Sequence, residues 1–292
     1  MAKLTVALAT YNEEKNIGAC LASVKDIADQ IVIVDGTSQD KTVEIVKKYG
    51  AKVKVVPNQQ IFHINKQKAL DMAAHQWILQ LDADEIVSPE LAKEIKKVIE
   101  MDEAEAAAYQ EKLPSKKLFL RHQHLLEKRD GNIGSNTGPY TAYFIPRANF
   151  FLGRYLRYGG VYPDGVIRLV KKGYSHFPCK DVHEQIVIKG RVGWLQHDLI
   201  HMADPTFKRY IDRNNRYINL IAKQLNDAKT STDPVTAAKH LFVLPTSWFL
   251  LTFLRHKGVL DGWQGFVFSF FSALRFPRAY SRYVRQKNDK KA

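Results

Sequence analysis

The sequence predicts an α/β fold in which a mostly parallel sheet carries helices on both faces, followed by a helical C-terminal extension. Strand and helix patterns alternate with short connections over the first hundred residues. Polar residues follow three of the strands abruptly. The length of 292 residues suits two domains or one large elaborated domain. Apolar residues make up 45% and charged residues 25%, which is usual for a chain with a sizeable core.

The predicted elements follow from apolar spacing. Short apolar or β-favouring runs are typical of strands buried on both faces, and apolar residues at helical intervals lie between them. Ser88 followed by Pro89 reads as a helix N-cap with proline at the first helical position. Strands are expected at residues 3–9, 31–34, 53–56 and 77–81, and helices at residues 12–25, 42–49, 64–74 and 89–101.

Polar clusters follow three of these strands, at residues 10–13, 35–38 and 82–85. Because ligands bind beyond the carboxyl ends of the strands in such sheets, we expect the three clusters to meet at one rim. No Gly-x-Gly-x-x-Gly and no P-loop motif occurs at any of them. This absence argues against a dinucleotide enzyme and against a P-loop NTPase.

Asp82 and Asp84 lie at the exit of the fourth strand. Two carboxylates at a buried strand end are costly unless they hold a cation or a partner. Hard oxygen ligands of this kind suit Mg²⁺ or Mn²⁺ shared with a diphosphate. An acidic loop that only caps the following helix is the alternative.

Three ordered motifs, at residues 9–17, 34–42 and 81–85, resemble the nucleotide-sugar domain of family 2 glycosyltransferases, which have the GT-A fold. The resemblance implies that Asp82 lies near the ribose and that Asp84, with Asp82, holds a divalent metal. It also implies that the ring of Tyr11 offers a face against which the uracil can lie. The base and ribose contacts that it implies are Thr10, Tyr11, Glu13 and Asp35.

Lys66 and Lys68 lie in the helix before the fourth strand. The leaving group of a nucleotide-sugar donor is a nucleoside diphosphate, whose developing charge must be stabilised. The two lysines could add to that stabilisation. A solvated helix face is the alternative.

Residues 142–154, 159–164, 167–169 and 182–184 are similar to a narrower branch that contains the lipopolysaccharide-core β-glucosyltransferases. In that branch the acceptor base falls about a hundred residues after the Asp-x-Asp pair, which indicates Glu184 first and Asp164 second. One carboxylate suffices to take the proton of an acceptor hydroxyl in an inverting transfer. A structural ion pair with Arg168 is the alternative for either. Residues 102–140 are expected to be a mobile excursion over the site.

His197 and His201 are four residues apart and would share a helical face. No third ligand accompanies them, so the spacing does not indicate a zinc site. The family resemblance implies that a later histidine completes the cation or diphosphate site. His201 or His183 could be that residue, and a hydrogen-bonded structural histidine is the alternative.

The formal charge of +14 is uneven, because residues 1–100 carry −1 and residues 101–292 carry +15. Residues 205–229 are predicted to form an amphipathic helix. Two apolar stretches follow, 241–254 interrupted by Pro245 and 259–276, and neither supplies the run of a spanning helix. Aromatic residues among Lys and Arg favour an anionic membrane surface. A helical lid or a dimer face with a basic tail is the alternative.

Two cysteines, Cys20 and Cys179, are too few for a disulfide framework and fit buried thiols in a reducing cytoplasm. The apolar run before Asn12 is too short for a signal peptide. We therefore expect a cytoplasmic protein, peripheral at the inner face of the cell membrane. Residues 1–204 would be the catalytic domain and residues 205–292 the membrane-associating region.

The sequence therefore predicts a metal-dependent inverting glycosyltransferase. It would move a sugar from a nucleotide-linked donor, with UDP expected, to a lipid-linked or lipopolysaccharide acceptor in bacterial envelope synthesis. A sugar nucleotidyltransferase would need a basic triphosphate loop near the first strand, where only Lys15 is available. A basic nucleic-acid-binding protein is the other alternative, but no nucleic-acid motif occurs and no nucleic-acid partner is expected. A catalytically dead scaffold of the same fold would not need Asp82, Asp84 and Glu184.

Overall fold

The computed structural model describes residues 1–180 and 185–289, which form two compact units. Unit 1 comprises Met1–Ala148 and Pro163–His201, and unit 2 comprises Asn149–Tyr162 and Met202–Ala292. Residues 149–162, which the sequence analysis assigned to the first domain, thus belong to unit 2. The elements in chain order are β1 Leu4–Thr10, α1 Ile17–Val24, β2 Gln30–Asp35, α2 Thr42–Lys48, β3 Lys52–Val55, α3 His63–Asp71, β4 Trp77–Leu81, β5 Glu85–Val87, α4 Pro89–Glu100, α5 Glu103–Glu111, α6 Lys116–Asp130, β6 Tyr140–Ile145, β7 Arg147–Phe151, β8 Arg154–Leu156, β9 Val166–Lys171, β10 Ser175–His176, β11 Val187–Ile188, β12 Arg191–Trp194, β13 Leu199–Asp204, α7 Phe207–Asp227, α8 Pro234–Arg255, α9 Gly262–Ala273 and α10 Arg275–Asp289.

Unit 1 is built on a seven-stranded sheet with the order β12-β6-β9-β4-β1-β2-β3. Neighbouring strands run parallel except on the two sides of β9, which is antiparallel to both β4 and β6. Thr10 at the end of β1 lies opposite Asp35 at the end of β2. The predicted mostly parallel sheet is therefore confirmed, and two of the polar strand ends are in register.

Helices cover both faces of this sheet, because its central strands are apolar on both sides. On one face α1 and α4 pack against β1 and β4; on the other, α3 packs against β1, β2 and β4, and α6 packs on Trp194 of β12. Every residue of β4 is buried. Burial on both faces leaves the strand ends as the place where polar side chains can meet.

Residues 102–140, expected as a mobile excursion, supply two helices, α5 and α6. Asp102 and Glu105 form a capping box at the start of α5. Phe119 of α6 is fully buried and stacks on Trp194 with ring centroids 4.6 Å apart. This part of the chain thus contributes to the core of unit 1.

The first helix begins later than its apolar spacing predicts, at Ile17 rather than near residue 12. Asn12 has a left-handed backbone (φ 54°), its amide donates to Ser38 Oγ, and its side-chain oxygen accepts from the amide of Gln39. These bonds hold residues 11–16 as a loop at the rim of the sheet.

Unit 2 is largely helical, and α7 is the predicted amphipathic helix. The α8 helix continues through Pro245, with a π-helical segment on either side at Lys239–Val243 and Leu251–Arg255. Wider turns accommodate the missing proline amide, so the predicted interruption is wrong. Among the described residues, α8 is long and apolar enough, by length and composition, to cross a membrane. The expectation that no stretch reaches that length is therefore wrong for α8.

Candidate active site

A cleft of about 350 Å³ opens in unit 1 beside the carboxyl ends of β1 and β4. Seven residues singled out from the sequence line it, namely Thr10, Tyr11, Glu13, Lys66, Asp82, Asp84 and His201. The other lining residues are Ala9, Asn58, Phe62, Asn65 and Ala83. The parallel sheet thus brings together most of the side chains that the sequence predicted would meet.

Two aromatic side chains, Tyr11 and Phe62, line the cleft and are half-exposed, at 45% and 44%. Tyr11 belongs to the loop after β1, and Phe62 precedes the first residue of α3. The ammonium of Lys66 lies 5.0 Å from the centre of the Phe62 ring. Exposed aromatic faces of this kind stack on nucleobases.

Asp35 lies behind Thr10 and its side chain is fully buried. Its Oδ1 accepts from Thr10 Oγ1 at 2.9 Å and from Ser38 Oγ at 2.6 Å, while its Oδ2 accepts from the Ser38 amide at 2.8 Å. These bonds tie the loop after β2 to the end of β1. Asp35 therefore shapes the rim from behind and is not among the residues that line the cleft.

Both carboxylate oxygens of Asp82 are ion-paired within unit 1. Oδ1 lies 2.5 Å from Lys66 Nζ, and Oδ2 lies 2.5 Å from Arg168 Nη2. Lys66 is only 8% exposed, so a solvated helix face is the wrong interpretation of this lysine. Asp82 is fixed by two cations, which leaves Asp84 as the carboxylate better placed to take a metal ion.

Arg168 is the centre of a buried polar network below the cleft. Its guanidinium also donates to Gln80 Oε1 at 2.6 Å and to Glu85 Oε1 at 2.8 Å. Glu85 is fully buried, accepts from the Asp82 amide at 2.9 Å and pairs with Arg147 at 3.5 Å. The network holds the Asp82–Glu85 turn in place from two strands, β4 and β9.

Burial opposes the ionised form of Asp82, but the attraction of Arg168 and Lys66 is larger and holds the pKa of this carboxyl well below its usual range. Burial lowers the pKa of Lys66, against the attraction of Asp82. It also raises the pKa of the Cys20 thiol, as do the neighbouring carboxylates Glu85 and Asp82. The predicted burial is confirmed for Cys20, whereas Cys179 is only partly buried.

We expect the stability that Asp82 contributes to disappear in acid. The folded-state pKa is depressed, so the contribution is complete above the unfolded pKa of about 4 and is lost as the pH falls below it. Asp82→Asn removes the paired carboxylate of the buried Lys66, leaves Arg168 with Glu85 alone, and should cost roughly 3 kcal/mol at pH 7. Urea denaturation of wild type and variant should give a smaller difference at pH 3 than at pH 7. An equal difference at both pH values would contradict the ion-pair assignment.

Asp84 and His201 approach each other across the cleft, with Asp84 Oδ2 3.6 Å from His201 Nε2. Both side chains are largely buried, at 21% and 17% exposure. A carboxylate oxygen and an imidazole nitrogen suit Mn²⁺, and a cation shared with a diphosphate needs few protein ligands. No cluster of three or more His, Cys, Asp or Glu side chains placed to hold a metal occurs within residues 1–180 and 185–289. The pair therefore fits a metal ion that is completed by substrate oxygens.

Asp164 lies outside the residues that line the cleft and pairs with Arg147, at 2.9 Å from Nη2 and 3.1 Å from Nε. Arg168, the ion-pair partner considered from the sequence, binds Asp82 and Glu85. Asp164 has a left-handed backbone (φ 40°), and the next amide, that of Gly165, donates to His122 Nε2 at 3.1 Å. Glu184 and His183 lie outside the described residues.

His197 and His201 do not share a helical face, so that prediction is wrong. His201 is part of β13, opposite Glu85 of β5, and His197 lies in the loop before β13. His197 Nδ1 is 2.9 Å from Glu94 Oε2. Lys68 likewise lies apart from the cleft lining, and its Nζ donates to Asn65 Oδ1 at 3.3 Å.

Sequence reasoning missed the roles of Arg168, Arg147, Phe62 and Asn65. The sequence does indicate that Arg168 is paired, because it is a lone charge inside the apolar run of β9 and a buried arginine requires partners. Phe62 and Asn65 are one turn apart at the start of α3 and precede Lys66. No local sequence pattern distinguishes Phe62 and Asn65 from ordinary helix residues.

Residues 5–160 match the model of Glycosyl transferase family 2, which covers more than half of the chain. The α/β sheet has its cleft beyond the carboxyl ends of its strands, where sheets of this kind bind ligands. The chain belongs to glycosyl transferase family 2. The expected GT-A fold and glycosyltransferase class are thereby confirmed.

Two relatives named as glycosyltransferases align with nearly the whole chain and with about a third of it. An uncharacterized glycosyltransferase of Rickettsia typhi is 25% identical, with 99% of this chain and 90% of the relative covered. The glycosyltransferase SunS of Bacillus subtilis is 35% identical over 32% of this chain and 23% of its own length. Among solved structures, S. aureus TarS residues 1–349 in complex with UDP is 18% identical, covers 89% of this chain and 75% of that chain, and has a TM-score of 0.44.

Proposed function

We propose that this protein moves a sugar from a UDP-linked donor to a hydroxyl of a lipid-linked or lipopolysaccharide-core acceptor, with inversion at the sugar carbon. The observation that carries the proposal is the cleft itself. It combines two aromatic faces, a buried lysine and an Asp84–His201 pair at the carboxyl ends of β1 and β4. An aromatic face can stack on a nucleobase, a lysine attracts a diphosphate, and a carboxylate with an imidazole can bind a divalent cation.

The donor would lie along the cleft from the loop after β1 to the turn after β4. Tyr11 and Phe62 offer faces for the uracil, while Thr10 and Glu13 are placed for the ribose, with Asp35 fixing Thr10 from behind. Asp82 would approach the ribose or the diphosphate as an anchored carboxylate. Lys66 adds positive charge on the phosphate side, and Lys68 lies further along α3.

A divalent cation, Mn²⁺ or Mg²⁺, would be held by Asp84 and His201 and would neutralise charge on the leaving diphosphate. Asp82 would hold the turn after β4 in position rather than bind the cation, because both of its carboxylate oxygens are already paired. The side chains of the cleft would hold the diphosphate in a fixed orientation. Fixed dipoles and charges at a developing charge cost no reorganisation during the reaction.

The transfer itself needs a base on the acceptor side. The acceptor oxygen forms the new bond to the sugar carbon as the bond from that carbon to the diphosphate breaks, and the hydroxyl proton passes to a carboxylate. Glu184 is proposed for this role on its spacing from Asp84, and Asp164 is the second candidate. Asp164 is already held by Arg147, which favours its ionised form but also occupies it.

We further propose that residues 1–204 carry catalysis and that residues 205–292 associate with an anionic membrane at the cytoplasmic face. Unit 2 has 18 Lys and Arg against six Asp and Glu, a formal charge of +12 of the total +14. An acceptor that is itself lipid-linked would reside at that surface.

The test is a screen of nucleotide-sugar hydrolysis, with UDP-, GDP- and dTDP-linked sugars, in the presence of Mn²⁺ or of a chelator. We expect UDP release from UDP-linked donors only when the metal is present. Hydrolysis of a purine-linked donor in preference to UDP-linked donors, or equal rates in chelator, would contradict the donor assignment.

Replacing the base should affect transfer while leaving donor binding in place. We expect Glu184→Gln to lower transfer by about a hundredfold or more, because general base catalysis contributes that much. The affinity for UDP, measured by calorimetry, should not change. Asp164→Asn serves as the matched comparison. If Asp164→Asn loses transfer and Glu184→Gln does not, the base is Asp164.

A further inference from the structure

Unit 2 exposes a connected apolar surface on α8, α9 and the 3₁₀ turn Gly258–Asp261 between them. Four phenylalanine rings link the two helices, with centroids 5.2 to 5.9 Å apart along the chain of contacts Phe253–Phe249–Phe266–Phe270. We call the exposed part of this surface the apolar ridge. It comprises Leu250, Leu254, Leu260, Trp263, Phe266 and Phe270, each more than 40% exposed.

The turn at the end of the ridge is built rigidly. The carboxylate of Asp261 is 1% exposed and accepts from the amides of Arg157 and Tyr158 at 3.1 and 2.9 Å. Gly265 lies so close to the backbone of Gly258 that a Cβ at position 265 would fall 1.9 Å from the Gly258 carbonyl oxygen. These contacts fix a turn that nevertheless directs two large apolar side chains outward, Leu260 at 53% and Trp263 at 59% exposure.

The part of the chain that carries the ridge has charges almost entirely of one sign. From residue 234 to residue 288 the chain has eight Lys and Arg and a single acid, which is the buried Asp261. Arg154, whose Nη2 donates to the carbonyl of Leu260 at 3.3 Å, adds a further cation beside the turn. A self-associating face would place these cations against one another, whereas an anionic surface would neutralise them.

We propose that the apolar ridge is the surface with which this protein enters the interface of an anionic lipid bilayer, lying in the plane of the membrane with Leu260 and Trp263 inserted at the level of the headgroups and upper acyl chains. The ridge meets the chemical requirements of an interfacial element, since its apolar and aromatic side chains lie in a segment that also carries Arg255 and Lys257, with Arg154 beside the turn. A tryptophan at the edge suits the boundary between headgroup and hydrocarbon. The inference rests on the proposed membrane role of residues 205–292 and specifies the surface that carries it.

The four tryptophans of the chain make the proposal measurable. Trp77 and Trp194 in unit 1 are buried, at 3% and 2% exposure, while Trp248 and Trp263 lie in α8 and α9. We expect vesicles of phosphatidylcholine and phosphatidylglycerol in equal parts to quench the fluorescence of the full chain when their acyl chains carry bromine near the carbonyl. Trp263→Phe should remove most of that quenching. Stronger quenching by bromine near the methyl end would overturn the interfacial position.

Vesicle sedimentation tests the same surface without fluorescence. Trp263→Asp and Leu260→Asp should each weaken binding by about tenfold or more, because a large apolar side chain would be lost from the interface. Leu125→Asp is the matched control, since Leu125 of α6 is equally exposed, at 58%, but lies in unit 1. Unchanged binding of both ridge variants, or equal binding to vesicles of phosphatidylcholine alone, would overturn the proposal.

Two further measurements separate this proposal from its alternatives. Lipid-free sedimentation equilibrium should find the same oligomeric state for wild type and Trp263→Asp, whereas a dimer dissociated by the substitution would show that a second copy covers the ridge. Donor hydrolysis should persist in the ridge variants. If no UDP-linked donor is hydrolysed by wild type but the vesicle results are as expected, the donor proposal fails and the docking surface stands.

Discussion

Asp84→Asn is expected to lower metal-dependent donor hydrolysis by about a hundredfold or more. The substitution keeps the shape of the side chain but removes the carboxylate that faces His201 at 3.6 Å, and changes to a metal's surroundings alone cost 10- to 100-fold. The rate of UDP release should be measured across a Mn²⁺ titration. Calorimetric binding of Mn²⁺ in the presence of UDP should weaken in parallel.

The two histidines near β13 provide the matched control for this prediction. His201→Gln removes the second proposed metal ligand and should shift the Mn²⁺ dependence in the same direction as Asp84→Asn. His197→Gln should leave the dependence unchanged, because His197 faces Glu94 away from the cleft. Full metal-dependent turnover in Asp84→Asn, or an equal effect of both histidine substitutions, would contradict the assignment of the metal site.

Gly265→Ala is expected to destabilise unit 2 by roughly 3 kcal/mol, since overpacking against an unyielding neighbour costs 1–3 kcal/mol and occasionally more. The added Cβ would lie 1.9 Å from the Gly258 carbonyl oxygen and 2.9 Å from its carbonyl carbon. Both atoms belong to the backbone, so the turn itself must move. Thermal and urea denaturation of the full chain should report the loss.

Gly18→Ala is the matched control, because Gly18 is also in a helix but its Cβ would meet only Ile45 Cγ2 at 3.9 Å. That substitution should stabilise the protein by about 0.5–1 kcal/mol, through the helix propensity that alanine gains over glycine. If both alanine variants are equally stable, the close approach of Gly258 and Gly265 does not exist in solution. Loss of vesicle binding by Gly265→Ala would further support the role of the turn.

The rim of the site could be predicted because parallel topology alone determines it. Once β1, β2 and β4 are recognised as buried parallel strands, Thr10, Asp35 and Asp82 must come to one edge of the sheet. The pattern does not say which side chains face the ligand. The family resemblance placed Asp35 among the donor contacts, and in the structure its carboxylate accepts from Thr10 and Ser38 behind the rim.

The pairing of Asp82 with Arg168 could not be predicted, because Arg168 lies 86 residues further along the chain. A sequence pattern identifies Arg168 as a buried charge but does not identify the carboxylates that it contacts. The register between β4 and β9 determines which carboxylates Arg168 contacts. Because β9 is antiparallel to β4, the alternation of strands and helices does not predict its place in the sheet. The pairing of His201 with Asp84 was reached only through the family resemblance, since local spacing indicated a helix where β13 lies.

The continuation of α8 through Pro245 could not be predicted from the sequence for a different reason. Proline inside an apolar run usually ends or bends a helix, so Pro245 was taken as an interruption. In the structure a π-helical segment, Lys239–Val243, ends directly before Leu244 and Pro245, and the helix continues without the proline amide. A π-helical turn is rare, and apolar spacing does not predict where one occurs.

The dependence of Asp82 on Arg168 has a consequence for the order in which a newly made chain acquires its activity. Asp82 leaves the ribosome well before Arg168 does. A nascent chain that ends at residue 160, where the family match ends, still lacks the guanidinium that neutralises Asp82 and Glu85. The strand β9 must then be inserted between β4 and β6 to complete the sheet. The sheet, and with it the pairing of Asp82 with Arg168, is thus complete only after β9 has been synthesised.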